Sequence, residues 1–248
     1  LLVDGNSILN RAFYGLPDLT TKDGLHTNAV LGFLNIIFKV IDEEKATHIC
    51  VAFDVKHPTF RHDMYKEYKG TRKPMPDELR PQIPLLKEVL KSLGVKIIEK
   101  EGYEADDVIG TIAKNTDIFT YIVTGDKDSF QLVNEKTSVY FTRRGISDID
   151  ILNNDNFKEK TGILPSQVTD LKACMGDSSD NIPGVTGVGE KTALNLVQTY
   201  SCLETLYDKI DEIKGKLQEK LILGREQAFL SRTLATINTQ VEIPINIE

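Results

Sequence analysis

Four absences narrow the reading of this chain. No stretch of its 248 residues approaches the roughly 18–20 uninterrupted apolar residues of a membrane-crossing helix, and no basic segment followed by an apolar run opens it. Neither a membrane span nor a secretory leader is expected. Cysteine is scarce: Cys50, Cys174 and Cys202 are an odd set without metal-type spacing, which argues against a disulfide framework and fits small apolar residues in a reducing, cytoplasmic compartment. Positive charge is in deficit, with 30 Lys and Arg against 37 Asp and Glu, where a nucleic-acid partner usually demands the opposite. A starting methionine is missing too, so trimmed leading residues or a fragment are expected.

The distribution of charge matters more than its sum. Residues 56–73 carry Lys56, Arg61, Lys66, Lys69, Arg72 and Lys73 against only Asp63 and Glu67, a local positive surplus. The acidic excess lies elsewhere, in tight clusters that bound cations would neutralise.

Hydrophobic periodicity organises the chain as alternating strands and helices. LLVDG reads as the end of a buried strand emerging into a loop. Residues 28–43 place Val30, Leu31, Leu34, Ile37, Phe38 and Ile41 at helical spacing, and HICVAFD is an apolar strand ending at Asp54. A helix over 78–93, the strand VKIIE, the helix GYEADDVIGTIAKN and the strand FTYIVTGDKD follow. This alternation predicts an α/β fold with a mostly parallel sheet covered on both faces, whose ligands bind outside the carboxyl ends of the strands. From about Gly162 the chain reads as helical around the glycine-rich turn IPGVTGVGEKTA, so the expected domains are 1–161 and 162–248.

Acids gather where such a sheet places its site. Asp4, Asp54 and Asp126 each end an apolar run, and Glu104, Asp106 and Asp107 open one helix. One acid in a first turn serves the helix dipole at ~0.3–1 kcal/mol, but a cap does not need three. Asp126 and Asp128 point the same way if their stretch stays extended, and Asp177 and Asp180 form an i, i+3 pair in MGDSSDN. Either pair alone is common in turns and caps. Together, five segments deliver an all-oxygen donor set without His or Cys, which selects Mg²⁺ or Mn²⁺ over zinc. Two such ions roughly 4 Å apart serve phosphoryl displacement. A structural calcium site would more often use one compact loop of the EF-hand kind, and none is present.

The motifs LLVDG, VAFD, FRHDMYKEYKGTRKP, GYEADD, TGDKD, MGDSSDNIPGV and GVGEKTA, in order along nearly the whole chain, resemble bacterial 5′ nucleases of the flap-endonuclease superfamily, a family that includes amino-terminal 5′–3′ exonuclease domains of DNA polymerase I. The resemblance implies a PIN-like nuclease core and a helix-three-turn-helix subdomain, the latter's turn at about 182–198. It implies one metal site from Asp4, Asp54, Glu104 and Asp106 and a second from Asp107, Asp126, Asp128, Asp177 and Asp180. It also implies a clamp over about 56–93, in which Lys69 and Arg72 act on the scissile phosphate, Tyr68 offers a stacking platform, and Arg61, Lys66 and Lys73 contact DNA. For each of these last three a solvated helix face is the even alternative. In the hairpin turn, Gly184, Gly187 and Gly189 would bring backbone amides to phosphates, Lys191 would join them, and K⁺ would sit on backbone carbonyls.

The expected activity is structure-specific 5′ nuclease action on DNA with a 5′ flap, nick or end, RNA in the 5′ arm included. Two metal ions, no covalent enzyme intermediate and no sequence preference are expected of it. The abrupt ends at Leu1 and Glu248 favour a fragment followed by a polymerase domain, and a monomer is expected. The rival readings are a PIN-type ribonuclease, which needs fewer acids and no hairpin, and a non-catalytic module for branched DNA.

Overall fold

The computed structural model describes residues 1–145 and 148–244. In chain order β1 (Leu2–Asp4) leads directly into α1 (Gly5–Gly15), and α2 (Asn28–Glu44) returns to β2 (Cys50–Ala52). Then come α3 (Phe60–Met64), α4 (Gln82–Ser92), β3 (Lys96–Ile98), α5 (Ala105–Asn115) and β4 (Thr120–Thr124). A 3-10 segment, Lys127–Leu132, precedes β5 (Thr137–Arg144) and β6 (Asp148–Leu152). The remaining α-helices are α6 (Phe157–Thr161), α7 (Val168–Met175), α8 (Glu190–Tyr200), α9 (Leu203–Asp208), α10 (Lys216–Leu223) and α11 (Arg225–Ala235). Among the described residues no helix is long and apolar enough to cross a membrane.

Among the described residues six strands form one sheet in the order β3-β2-β1-β4-β5-β6, parallel except for the antiparallel edge strand β6. The order reverses at β1, which pairs with β2 on one side and β4 on the other, so the crevice beyond the carboxyl ends of β1 and β4 is the place where such sheets bind ligands. Where a loop is expected after β1, α1 begins at once. Asp4 caps it by accepting the Ser7 amide at 3.0 Å, which also fixes the direction of the carboxylate.

Two compact units result. The first holds residues 1–59, residues 74–153 and the segment from Asn238 onward; its core is built from Val3, Ile8, Phe33, Ile37, Val51, Phe53, Leu86, Val123 and Tyr140. In α2 the inward stripe is Ala29, Val30, Phe33, Ile36, Ile37 and Val40, while Leu31 and Phe38, expected inside from spacing alone, face solvent. The helix expected over 78–93 is shorter, because Pro81 disfavours helical backbone at the residue before it. In that helix, α4, Leu86 and Leu90 are wholly buried, as is Leu79 just before it, so the part of the expected clamp beyond 78 packs into the core of its unit. Gln82 is buried with them. Its Oε1 accepts the amides of Ala29 and Val30 at 2.8 and 3.3 Å and its Nε2 donates to Asn28 Oδ1 at 2.9 Å, serving the start of α2 where Thr27 provides no side-chain cap.

The second unit holds Phe60–Lys73 and Asn154–Ile237, so a single cut at 161 does not describe the units. Its core is Ala173, Cys174, Val185, Val188, Leu196, Leu203, Leu206, Tyr207 and Leu221. The basic segment joins it through buried bonds. Arg61 is 2% exposed, with Nε donating to Leu234 O at 2.8 Å and Nη2 to Thr236 O at 2.9 Å, satisfying carbonyls at the carboxyl end of α11. Tyr68 is 3% exposed among Ile182, Leu234 and Ala235. Both expectations of DNA contact are therefore corrected: the Arg61 guanidinium and the Tyr68 ring serve the interior of the unit.

Candidate active site

In the first unit, acids from separate segments meet at the carboxyl ends of the central strands. Asp4 ends β1, Asp54 lies two residues beyond β2, Glu104 caps α5 with Asp106 in its first turn, and Asp126 and Asp128 follow β4. Hydroxyls and amides aim them. Asp4 Oδ2 accepts Thr124 Oγ1 at 3.1 Å, Asp54 Oδ1 accepts the Ala105 amide at 2.8 Å, and Asp106 Oδ1 accepts Ser129 Oγ at 3.2 Å. Asn6 reaches the same rim, its Oδ1 accepting the Asp54 amide at 3.0 Å. The stretch after β4 does not stay extended. It turns into the 3-10 segment with Asp126 at its head, accepting the Asp128 amide at 2.9 Å, so the two acids are set by a turn and not by strand alternation.

These carboxylates feel one another. Burial pushes Asp4 up to about 7, with the charges of Asp54 and Asp126 adding to it against the bonds from Ser7 and Thr124. Asp106 is held well above the ordinary carboxylate range by burial and then by Asp4, Asp126, Asp54 and Glu104. Among the described residues no three of these acids close into a ready-made ligand cage. Like charges gathered in low dielectric repel until a cation is among them, and an all-oxygen donor set of this kind fits a hard divalent ion. Perturbed carboxylates in a crevice at a topological switch point are also what a catalytic site requires.

Asp107 departs from this role. It is fully buried, with Oδ2 accepting the Glu104 amide at 3.0 Å and Oδ1 accepting the Asn238 amide at 2.8 Å. Its carboxylate closes the capping box of α5 and ties the segment from Asn238 back onto the unit, so its expected place among the metal ligands is corrected.

The other expected ligands, Asp177 and Asp180, belong to the second unit, where cations already face them. Asp177 Oδ2 lies 2.7 Å from Lys172 Nζ, and Oδ1 accepts the Ser179 amide and hydroxyl at 2.8 and 2.6 Å. Burial raises this carboxyl, but Lys172 and Ser179 together hold it down to about 2. Asp180 lies 2.6 Å from Arg72 Nη2 and 3.8 Å from Lys69 Nζ. Lys172, five residues before Asp177 in KACMGD, was not singled out from sequence, and nor were Thr124, Ser7 and Ser129; each stands within five residues of an acid that was.

The glycines of the hairpin turn differ in what they serve. Gly184 is buried at φ +62, and its amide donates to Ser231 Oγ at 2.9 Å, so the expected phosphate contact by this amide is corrected to an internal bond. Gly187 lies against Lys220, whose Nζ donates to Gly187 O at 3.0 Å. Gly189 heads α8 with open space where a Cβ would stand and no side-chain cap on the helix, and Lys191, Lys66 and Lys73 are exposed. Those groups are accessible to a phosphate backbone.

Comparison with known proteins agrees with this architecture. Residues 1–162 match the family model described as 5′-3′ exonuclease, N-terminal resolvase-like domain, and residues 163–248 match that described as 5′-3′ exonuclease, C-terminal SAM fold. The chain is 48% identical over 251 residues to DNA polymerase I of Bacillus subtilis, covering 100% of this chain and 28% of that protein. It is 47% identical over 253 residues to DNA polymerase I of Caldicellulosiruptor bescii, covering 100% and 30%. The chain thus spans under a third of the length of these relatives. Among solved structures, T5 5′-exonuclease with bound divalent zinc superposes with a TM-score of 0.75 at 24% identity, over 96% of this chain and 89% of that one. The catalytic core of Rad2 in complex with DNA substrate gives 0.59 at 18% identity, over 98% and 80%. At such identities the two structures establish the fold.

Proposed function

The chain belongs to the 5′–3′ exonuclease family, and from that membership we propose that it is a structure-specific nuclease hydrolysing DNA phosphodiesters at 5′ flaps, nicks and ends, as in replication and repair. The observation that carries this reading is the set of carboxylates gathered beyond β1, β2 and β4, in which Asp4 and Asp106 are raised by burial and then by their acidic neighbours. Asp4, Asp54, Glu104, Asp106, Asp126 and Asp128 would hold Mg²⁺ or Mn²⁺, two ions in our reading. When bound, such ions supply Lewis-acid polarisation of phosphate oxygen and lower the pKa of water.

The chain's own residues do the rest. Thr124, Ser7 and Ser129 hold the acids in fixed orientation, so little reorganisation accompanies reaction. Lys69 and Arg72 steer and polarise a backbone phosphate, while Lys66, Lys73, Lys191 and the uncapped start of α8 at Gly189 contact the backbone without reading bases. Water adds to phosphorus and the 3′ oxygen leaves, so one product carries a 5′-phosphate and the other a 3′-hydroxyl. A potassium ion in the hairpin turn would have to share the Gly187 carbonyl with the Lys220 ammonium, and no step is assigned to it. In its full-length context we read the chain as a monomeric cytoplasmic nuclease followed by a polymerase domain, in keeping with the length of its relatives.

A labelled 5′-flap duplex tests the reading. Cleavage near the junction in Mg²⁺ and none in EDTA is expected, with DNA and RNA arms compared in parallel. Tight binding without cleavage would make the chain a branched-DNA module. Cutting of single-stranded RNA alone would make it a ribonuclease.

A further inference from the structure

Residues 238–241 follow α11 and belong to no helix or strand, so neither a helical turn nor a ladder can meet their backbone donors and acceptors. One face of α5 takes them instead. Asp107, Thr111 and Lys114 stand at i, i+4 and i+7 of that helix, which aligns their side chains along it. Asp107 Oδ1 accepts the Asn238 amide at 2.8 Å. The Thr111 hydroxyl donates to Asn238 O at 3.3 Å and accepts the Val241 amide at 3.2 Å, and Lys114 Nζ donates to Thr239 Oγ1 at 3.2 Å. Thr111 and Val241 are both buried. A threonine inside a helix commonly turns its hydroxyl back on a carbonyl of the preceding turn, whereas this one holds the later segment at two points.

The helix so bound is the one whose start presents Glu104 and Asp106. Asp107 joins the two ends of the arrangement: its Oδ2 accepts the Glu104 amide at 3.0 Å while its Oδ1 accepts that of Asn238. One wholly buried carboxylate therefore fixes the backbone of a site acid and the start of the segment to each other. Lifting the segment off α5 would take a donor from that carboxylate and leave the buried Thr111 hydroxyl without the two groups it now meets, so the first turn of α5 would have to rearrange. The converse follows. A cation held by Glu104 and Asp106 fixes the first turn of α5 and with it the groups on which the segment sits. Two events that favour one arrangement of the same turn strengthen each other, and by equal factors.

We infer that residues 238–241 are a strap whose seating on α5 is coupled to divalent-cation binding at Glu104 and Asp106: a bound ion tightens the strap, and a loosened strap weakens the hold on the ion. This rests on the reading of the acids beyond β1, β2 and β4 as a cation site.

Amide hydrogen exchange of the whole chain, read by NMR without DNA, follows the strap, and calorimetric titration of Mg²⁺ follows the site. In the wild-type protein, saturating Mg²⁺ is expected to slow exchange of the Asn238 and Val241 amides by about tenfold or more, although neither residue is an acid of the site. Thr111→Val keeps the side-chain shape and deletes the hydroxyl. It should speed exchange at Val241 by about tenfold or more and weaken Mg²⁺ binding about three- to tenfold, with every acid in place. Lys114→Met, at an exposed position, removes only the bond to Thr239 and should give smaller changes of both kinds. Mg²⁺ that binds without slowing the two amides would overturn the inference. So would a Thr111→Val protein whose strap exchanges faster while its Mg²⁺ affinity is unchanged, the result that packing alone would give. If Thr111→Val does not fold, the wild-type exchange experiment and Lys114→Met decide the matter. A wild-type protein that binds no Mg²⁺ sinks the cation-site reading and this inference with it, whereas binding that leaves the strap unaffected sinks this inference alone.

Discussion

Asp126→Ala is expected to bind a 5′-flap duplex at least as tightly as wild type and to cut it more slowly by several orders of magnitude. Asp126 lies on the turn after β4, half-buried, and its charge helps raise both Asp4 and Asp106. Losing it removes a donor from the group of acids without touching Lys66, Lys73 or Lys191, which carry DNA affinity in our reading. Its side chain accepts the Asp128 amide at the head of a six-residue 3-10 segment, a cap of about 1 kcal/mol whose loss a fold of this size tolerates. Anisotropy with a labelled flap in Ca²⁺ or EDTA measures binding, and single-turnover cleavage in Mg²⁺ measures chemistry. Undiminished cleavage would remove Asp126 from the site.

Gly184→Ala should cost the second unit about 3–5 kcal/mol, whereas Gly189→Ala, five residues away in the same turn, should stay within about 1 kcal/mol of wild type. At Gly184 a Cβ would stand 2.2 Å from Gly176 N and 2.6 Å from Gly176 Cα and Met175 C, all backbone atoms that cannot rotate aside. The φ of +62° adds strain of its own. Gly176 cannot give way, because its φ of +74° with ψ of −176° is a conformation open to glycine almost alone. At Gly189 nothing lies within 4 Å of the added atom, so any effect there should appear in DNA affinity and not in stability. Thermal unfolding separates the two: a fall on the order of 10 °C for Gly184→Ala against a few degrees for Gly189→Ala. Equal shifts would contradict the division between internal and external glycines.

Much of the candidate site's placement was legible because acids ending apolar runs are a strong signal in a parallel sheet. Asp4, Asp54 and Asp126 stand at strand ends for the reason that makes the pattern readable: the strand is buried and the polar residue marks where it leaves the core. What failed was local spacing asked to decide tertiary questions. Three acids at the start of α5 looked like more than a cap needs, yet Asp107 is a capping partner whose second oxygen serves Asn238, 131 residues away. Arg61 and Tyr68 sit in a charge-rich run that reads as solvated, and only the distant carbonyls of Leu234 and Thr236 reveal why an arginine is buried there. In α2, Leu31 and Phe38 satisfy helical spacing as well as Phe33 and Ile36 do, so periodicity found the helix and misplaced part of its inner face. The interleaving of the two units has the same origin, since nothing within residues 60–73 says that they pack on a helix ending at Ala235.

Calorimetric titration of Mg²⁺ into the protein at pH 7, repeated in two buffers of different ionisation enthalpy, tests the central claim most directly. Asp4, raised to about 7 by burial and by Asp54 and Asp126, holds a proton near neutrality that a bound cation must expel, and Asp106 is shifted in the same direction by burial and by Asp4 and its neighbours. Saturable binding is therefore expected, with an enthalpy that differs between buffers by the heat of proton uptake, an affinity that strengthens as the pH rises through 7, and marked weakening in Asp106→Ala. Binding that releases no proton and ignores pH, or no saturable binding at all, would contradict the claim that these carboxylates form the cation site.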